Sequence, residues 1–173
     1  MQKAIKSILL LLFLNGVILQ SHGQVTRLYA FSQDINGGAF LDPVIQKKLA
    51  EQGMKSTRSR QFIYAEIKKG VPILVTQLWI DRKGYNCHST PPVSCPVILP
   101  SADRLVFPDD TLIRSTTGEI IQLDFQESKA PGINNTVRKL IASNAIVLEY
   151  KIKGKTYYAS AKHFRQLHPL NTP

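Results

Sequence analysis

Two cysteines, one tryptophan and no apolar run long enough to span a bilayer limit what this chain of 173 residues can be. A helix that crosses a membrane needs about 20 predominantly apolar residues. The apolar stretch over 8–19 holds 12 and is interrupted by Asn15 and Gly16. The chain also has no glycine-rich phosphate loop, no nucleophile-elbow serine and no HExxH, and Asn36-Gly37-Gly38 is too short to mean more than a turn. These absences remove the sequence-legible nucleotide-binding enzymes, α/β-hydrolases and zinc peptidases, and no motif calls for a cofactor. No run of five like charges occurs, which excludes a single-sign interaction tail. No repeat of useful length occurs either, although Lys-Gly turns recur at 69, 83 and 153.

What is present begins with Lys3 and Lys6, the apolar stretch from Ile8 to Leu19, and Ser21-His22-Gly23. A basic start, a short apolar centre and small residues before a cleavage point are the signature of a secretory signal peptide. The expectation is cleavage after Gly23, leaving one β-rich globular domain over 24–173 in a secreted or periplasmic location. The composition, 43% hydrophobic and 20% charged, is that of a folded domain with a core.

Without the signal the chain keeps 20 basic and 12 acidic residues, a net charge of +8 that is spread unevenly. Residues 101–128 carry 2 basic and 6 acidic groups, whereas residues 129–173 carry 8 basic and 1 acidic. The C-terminal segment therefore holds most of the surplus. In an exported protein such a surface favours an anionic polysaccharide or a partner protein of the envelope, while nucleic acid is the less expected partner.

Cys87 and Cys95 are expected to pair, because an oxidising compartment permits it. Closing so short a loop stabilises by on the order of 2.5 kcal/mol in the chain-entropy treatment. Cys87-His88 also has the residue types of a thiol nucleophile and its base, but neighbours in extended chain point their side chains apart. A zinc site from Cys87, His88 and Cys95 lacks the paired short spacings such sites use, and would need His163 or His168 to fold back. No metal is expected, and no catalytic residue is assigned.

Alternation predicts a strand over 25–31 that ends before Asn36-Gly37-Gly38. Asp42 as N-cap, Pro43, the spacing of Leu41, Ile45 and Leu49, and Gly53 predict a helix over 43–52. Residues 55–60 read as an exposed basic loop. The run from Phe62 to Ile67 and the run from Val71 to Ile80 are expected to pair as a hairpin, the second being apolar on both faces and hence central. Asp81 to Gly84 is a turn. Half of the ten prolines fall between 91 and 108, which excludes a helix or central strand there and leaves an ordered loop or an extended edge. Strands are predicted at 110–113 and 119–125, then a helix over 136–143 capped by Asn135 or Thr136 and ended by Asn144 in the left-handed conformation. A second hairpin, 145–153 with 155–161, turns at Lys153-Gly154, and a helical turn is expected at 163–167. The class is α+β, mainly antiparallel, a small barrel or sandwich of about seven strands with two short helices.

Aromatics supply the best guess at a ligand-facing surface. Trp79 reads as core, but Tyr157 and Tyr158 are neighbours on a strand, so one of them should meet solvent near Lys151, Lys153 and Lys155. Asp109, Asp110 and Asp124 form the one local carboxylate cluster suited to acid–base work.

Gly23 before Gln24, Val147-Leu148-Glu149-Tyr150 and Lys155-Thr156-Tyr157-Tyr158 resemble the signal and C-terminal third of small exported proteins of unknown function from Gram-negative bacteria of the Bacteroidetes kind. The resemblance implies a periplasmic or secreted location and brings no catalytic residues. The leading expectation is a non-enzymatic binding or assembly module of the cell envelope acting through the basic C-terminal hairpin. A hydrolase built from Asp109, Asp110, Asp124 and a histidine is the rival, and a protease inhibitor using the Cys87–Cys95 loop is a third reading.

Overall fold

The computed structural model describes residues 24–36, 57–101, 108–128 and 132–171. The expected signal peptide and the helix expected over 43–52 lie outside the described residues. In chain order the elements are β1 (Val25–Asn36), β2 (Thr57–Ile67), β3 (Leu74–Ile80), β4 (Lys83–Val93), β5 (Val97–Leu99), β6 (Asp110–Ile113) and β7 (Glu119–Glu127). They are followed by α1 (Asn135–Ser143), β8 (Ile146–Ile152), β9 (Lys155–Ala161), β10 (Arg165–Gln166) and β11 (Leu170–Asn171). Nine strands make one sheet in the order β10-β1-β2-β7-β4-β3-β8-β9, with β11 also on β1, and β5 pairs with β6 apart from it. Only β10 and β11 run parallel to their neighbour. The sheet curls into a half-barrel, so that β9 returns against β1.

The curl follows from which side chains alternate inward. Ile63 and Ala65 of β2, Leu78 of β3, and Ile146, Leu148 and Tyr150 of β8 are fully buried on the inner face. The outer face is covered in two places. At one end α1 sets Val137 against Trp79 and Val147. At the other, the β5–β6 hairpin lays Leu112 and Ile113 over Phe31, Tyr64 and Ile120.

All seven expected strands are present, and the mainly antiparallel class holds. The pairing of β2 with β3 does not. β2 is flanked by β1 and β7, while β3 is flanked by β4 and β8. Gly70 at φ +71° turns the chain, and Pro72 then withholds the donor that would extend a ladder, so 71–73 carries the chain to the far half of the sheet. The basic segment expected as a loop joins β2 from Thr57 onward, because β1 continues through Asn36 and gives it a partner to pair with.

The proline-rich segment divides. From Lys83 to Asn86 strand β4 is central, paired to β3 and, at Tyr85 and Asn86, to β7 as well. Beyond Asn86 it pairs with β7 alone, and the register shifts between Ser89 and Pro92. Pro91 and Pro92 are thus accommodated where β4 has become a one-sided edge with a bulge, which is where a missing N–H is tolerated.

Both tight hairpins use two-residue turns with positive φ, Asp81 (47°) and Arg82 (71°), then Lys153 (47°) and Gly154 (79°), the geometry that matches strand twist. The helix starts one residue earlier than expected, with Asn134 Oδ1 accepting from Val137 N at 2.8 Å. Asn144 is extended (φ −133°), not left-handed, and its amide donates to Leu140 O at 2.9 Å, which ends the helix by side-chain capping. The turn expected as helical at 163–167 is the short strand β10, because Leu167 N donates to Ser32 O and holds the segment on β1.

Two substitutions probe this core. Leu148→Ala removes a fully buried side chain and is expected to cost about 2–5 kcal/mol in urea unfolding. Tyr150 is equally buried, yet its hydroxyl faces the Val25 main chain without reaching hydrogen-bond geometry. Since an unsatisfied buried hydroxyl costs about 1–3 kcal/mol, Tyr150→Phe is expected to be neutral or stabilising.

Candidate functional site

Alternation along β1 sends Leu28 and Ala30 inward and Arg27, Tyr29 and Phe31 to the outer face. A trough runs along that outer face, between β1 and the 114–118 connection that leads into β7. Its two lobes, of about 450 and 500 Å³, share Arg27, Tyr29, Ser115 and Thr116 and so form one continuous depression. The first lobe adds Thr26, Glu66 and Thr117; the second adds Asp110, Arg165 and His168. Each lobe falls within the size range of small-ligand sites.

Gly118 permits the trough. A Cβ there would stand 2.6 Å from Ile67 O and 2.8 Å from Glu66 Cγ, so only glycine lets the connection lie against the end of β2. That approach sets the hydroxyls of 115–117 beside Glu66. Tyr29 Oη donates to Glu66 Oε2 at 3.0 Å, and burial together with this bond pushes the phenol pKa upward. The guanidinium of Arg27 lies 5.7 Å from the Tyr29 ring centroid. Arg165, brought in by β10, lies 5.8 Å from the Phe31 centroid and donates to Thr111 O at 3.4 Å.

Three carboxylates line the trough, and each already accepts a hydrogen bond. Glu66 takes the Tyr29 hydroxyl. Asp109 Oδ1 takes Ser101 N at 2.9 Å. Asp110 takes His168 N at 3.2 Å and faces His168 Nδ1 at 3.3 Å. Among the described residues, no carboxylate stands within ion-pair distance of Arg27, Arg114 or Arg165. The trough therefore offers donor-only cations, acceptor-only carboxylates and a row of hydroxyls that can do either.

The residues expected to form a ligand patch do not converge. Lys151 lies on the outer face, Lys153 in the exposed turn, and Lys155 on the inner side of β9. Tyr157 is packed inward, stacked on Tyr150 at 5.8 Å. Tyr158 packs outward against α1, and its hydroxyl accepts from Asn134 Nδ2 at 3.0 Å.

The carboxylate cluster is split as well. Asp109 and Asp110 border the trough, whereas Asp124 stands on β7 opposite His88, Nε2 to Oδ2 3.8 Å, with Gln122 Nε2 donating to its other oxygen at 3.3 Å. Sequence reasoning missed Arg27, Glu66, Ser115 to Thr117 and Arg165. The available signal was the odd-numbered set of the first strand, where Arg27, Tyr29 and Phe31 share one face. Among the described residues no group of three His, Cys, Asp or Glu side chains is placed to hold a metal.

Both cysteines are unbonded, Cys87 buried and Cys95 exposed. The expected bridge fails on geometry. Cys87 is opposite Phe125 and Val93 opposite Ile120, an axial separation of roughly 16 Å at ~3.3 Å per residue. Cys95 lies two residues past Val93 and can recover at most ~7 Å of that. The Cα atoms therefore stay beyond the ~7 Å reach of a disulfide. From Cys87 the chain runs as strand to Val93 and bends at Cys95 and Pro96.

No protein-family model, curated protein or solved structure matches this chain. Among the described residues no helix is long and apolar enough to cross a membrane.

Burial pushes the Cys87 thiol up to about 12 from an ordinary value of 9.0, with the nearby Asp124 charge adding to it. A raised folded-state pKa means full stability below about pH 9 and loss as pH climbs toward 12, on the order of 4 kcal/mol in the limit. Native protein is expected to titrate one thiol with a disulfide reagent and denatured protein two. Cys87→Ala should flatten part of the fall in urea midpoint above pH 9.

Proposed function

We propose that this chain is an exported, non-enzymatic binding module of the cell envelope that holds an anionic polymer in the β1 trough. The observation that carries the proposal is the placement of Arg27, Arg114 and Arg165 around one depression whose carboxylates are already engaged by other donors. Two of the guanidiniums lie over aromatic rings, which pre-orders them for a ligand. The basic C-terminal hairpin, with Lys151, Lys153 and Lys155, adds long-range attraction that speeds encounter, while the trough supplies the fixed contacts.

Arg27→Gln and Arg165→Gln are each expected to weaken binding of polygalacturonate about tenfold or more, since a hydrogen bond to a charged group contributes about 1.5–3 kcal/mol. Affinity should also fall as salt rises, with a shallower slope in each variant. Titration calorimetry at two salt concentrations checks this, and unchanged affinity in the double variant for every polyanion tried removes the trough from the function. Release of reducing ends from the same polymer by wild type, abolished in Asp110→Asn, would instead establish the hydrolase reading.

A further inference from the structure

We infer that the polymer is an acidic polysaccharide, a ligand carrying hydroxyls between its acid groups, and that Glu66 is the residue that selects it. The inference rests on the trough being the binding site. It begins from the opposite charges set side by side at the Arg27 end of the trough.

Arg27 and Glu66 are opposite one another on β1 and β2, but Glu66 turns to the Tyr29 hydroxyl, and among the described residues no carboxylate stands within ion-pair distance of the guanidinium. Arg165 is opposite Phe31, four residues further along β1 than Arg27, a separation of roughly 13 Å along the strand. Tyr29, Ser115 and Thr116 line both lobes, while Glu66 and Thr117 line the lobe at the Arg27 end.

Each group restricts the ligand in its own way. A guanidinium only donates, so it requires an acid group. A carboxylate only accepts, and Glu66 has lone pairs left after accepting one hydrogen bond from Tyr29, so it requires a donor. A polyphosphate carries acceptors alone and would set further negative charge against Glu66. That repulsion opposes binding, and does so more strongly beside the protein surface than in bulk water. A sugar acid satisfies both kinds of group, its carboxylate meeting an arginine with paired hydrogen bonds and its ring hydroxyls donating to Glu66. Oligodeoxynucleotides lack ring hydroxyls and meet the same repulsion as polyphosphate.

The decisive test is a reversal of preference. Glu66→Gln keeps the size of the side chain and removes its charge. Polygalacturonate is expected to bind it about fivefold more weakly than wild type, while inorganic polyphosphate and oligodeoxythymidylate bind more tightly. A gain for all three polymers overturns the assignment of Glu66 and leaves a plain cation site. Ser115→Ala/Thr117→Val, which changes no charge, gives an independent reading should Glu66→Gln unfold. It is expected to lose affinity for polygalacturonate and keep its affinity for polyphosphate, and equal losses for both count against a hydroxylated ligand. These outcomes are separate from those of the arginine variants, where indifference to every polymer would reject the site itself.

Discussion

Burial of β7 on both faces at its N-terminal end, Ile120 on one side and Ile121 on the other, is the constraint on which the rest of the molecule depends. Ile121 and Leu123 point into the half-barrel, while Ile120 points outward beneath the β5–β6 hairpin. A strand end that is dry on both faces must have neighbours on both sides and cover on both surfaces there. β7 therefore stands between β2 and β4 and joins the β1–β2 pair to the β4-β3-β8-β9 run. The same requirement pulls the 114–118 connection tight against the end of β2, and the trough is the space left beside that close approach.

Polar satisfaction separates the parts built for stability from the part proposed to bind. Inside the half-barrel the ledger is nearly apolar, and Gln33, the buried polar residue among those described, shares the outer face with Phe31, where its amide donates to the His168 carbonyl. Along the trough the pattern is different. Carboxylates are pinned by protein donors, Glu66 by Tyr29 and Asp110 by His168, and Arg27 and Arg165 are steadied by aromatic rings. Groups in that state are ordered without being saturated, which is the electrostatic condition for recognising a ligand at little reorganisation cost.

Much of the fold was legible because alternation is a local property. Ile146, Leu148, Tyr150 and Ile152 announced β8 and its inward face, and Lys153-Gly154 announced the turn. Strand order was not legible, since nothing near Phe62 or Val75 records that β7, more than 40 residues further on, takes the place beside β2. The prolines at 91 and 92 misled for a related reason. They exclude a ladder on both sides, yet β4 needs two partners only up to Asn86. The trough was the least legible part. Its residues come from β1, β2, β6, the connection before β7 and the segment at and after β10, separated in sequence by up to 142 positions from Thr26 to His168, and none of these segments carries a motif. The C-terminal lysines drew attention because charge is visible in a sequence, whereas the faces of β9 that disperse them are not.

The parallel docking of β10 and β11 along β1 ties distant parts of the chain to one surface. Arg27 stands near the beginning of the described residues and Arg165 near their end, yet they border the same depression. Leu167 and His168, which fasten β10 to β1 and to Asp110, lie just beyond Arg165. A chain cut after β9 would keep the half-barrel strands and lose one wall of the trough, so the integrity of this surface reports on the docking of the last short strands.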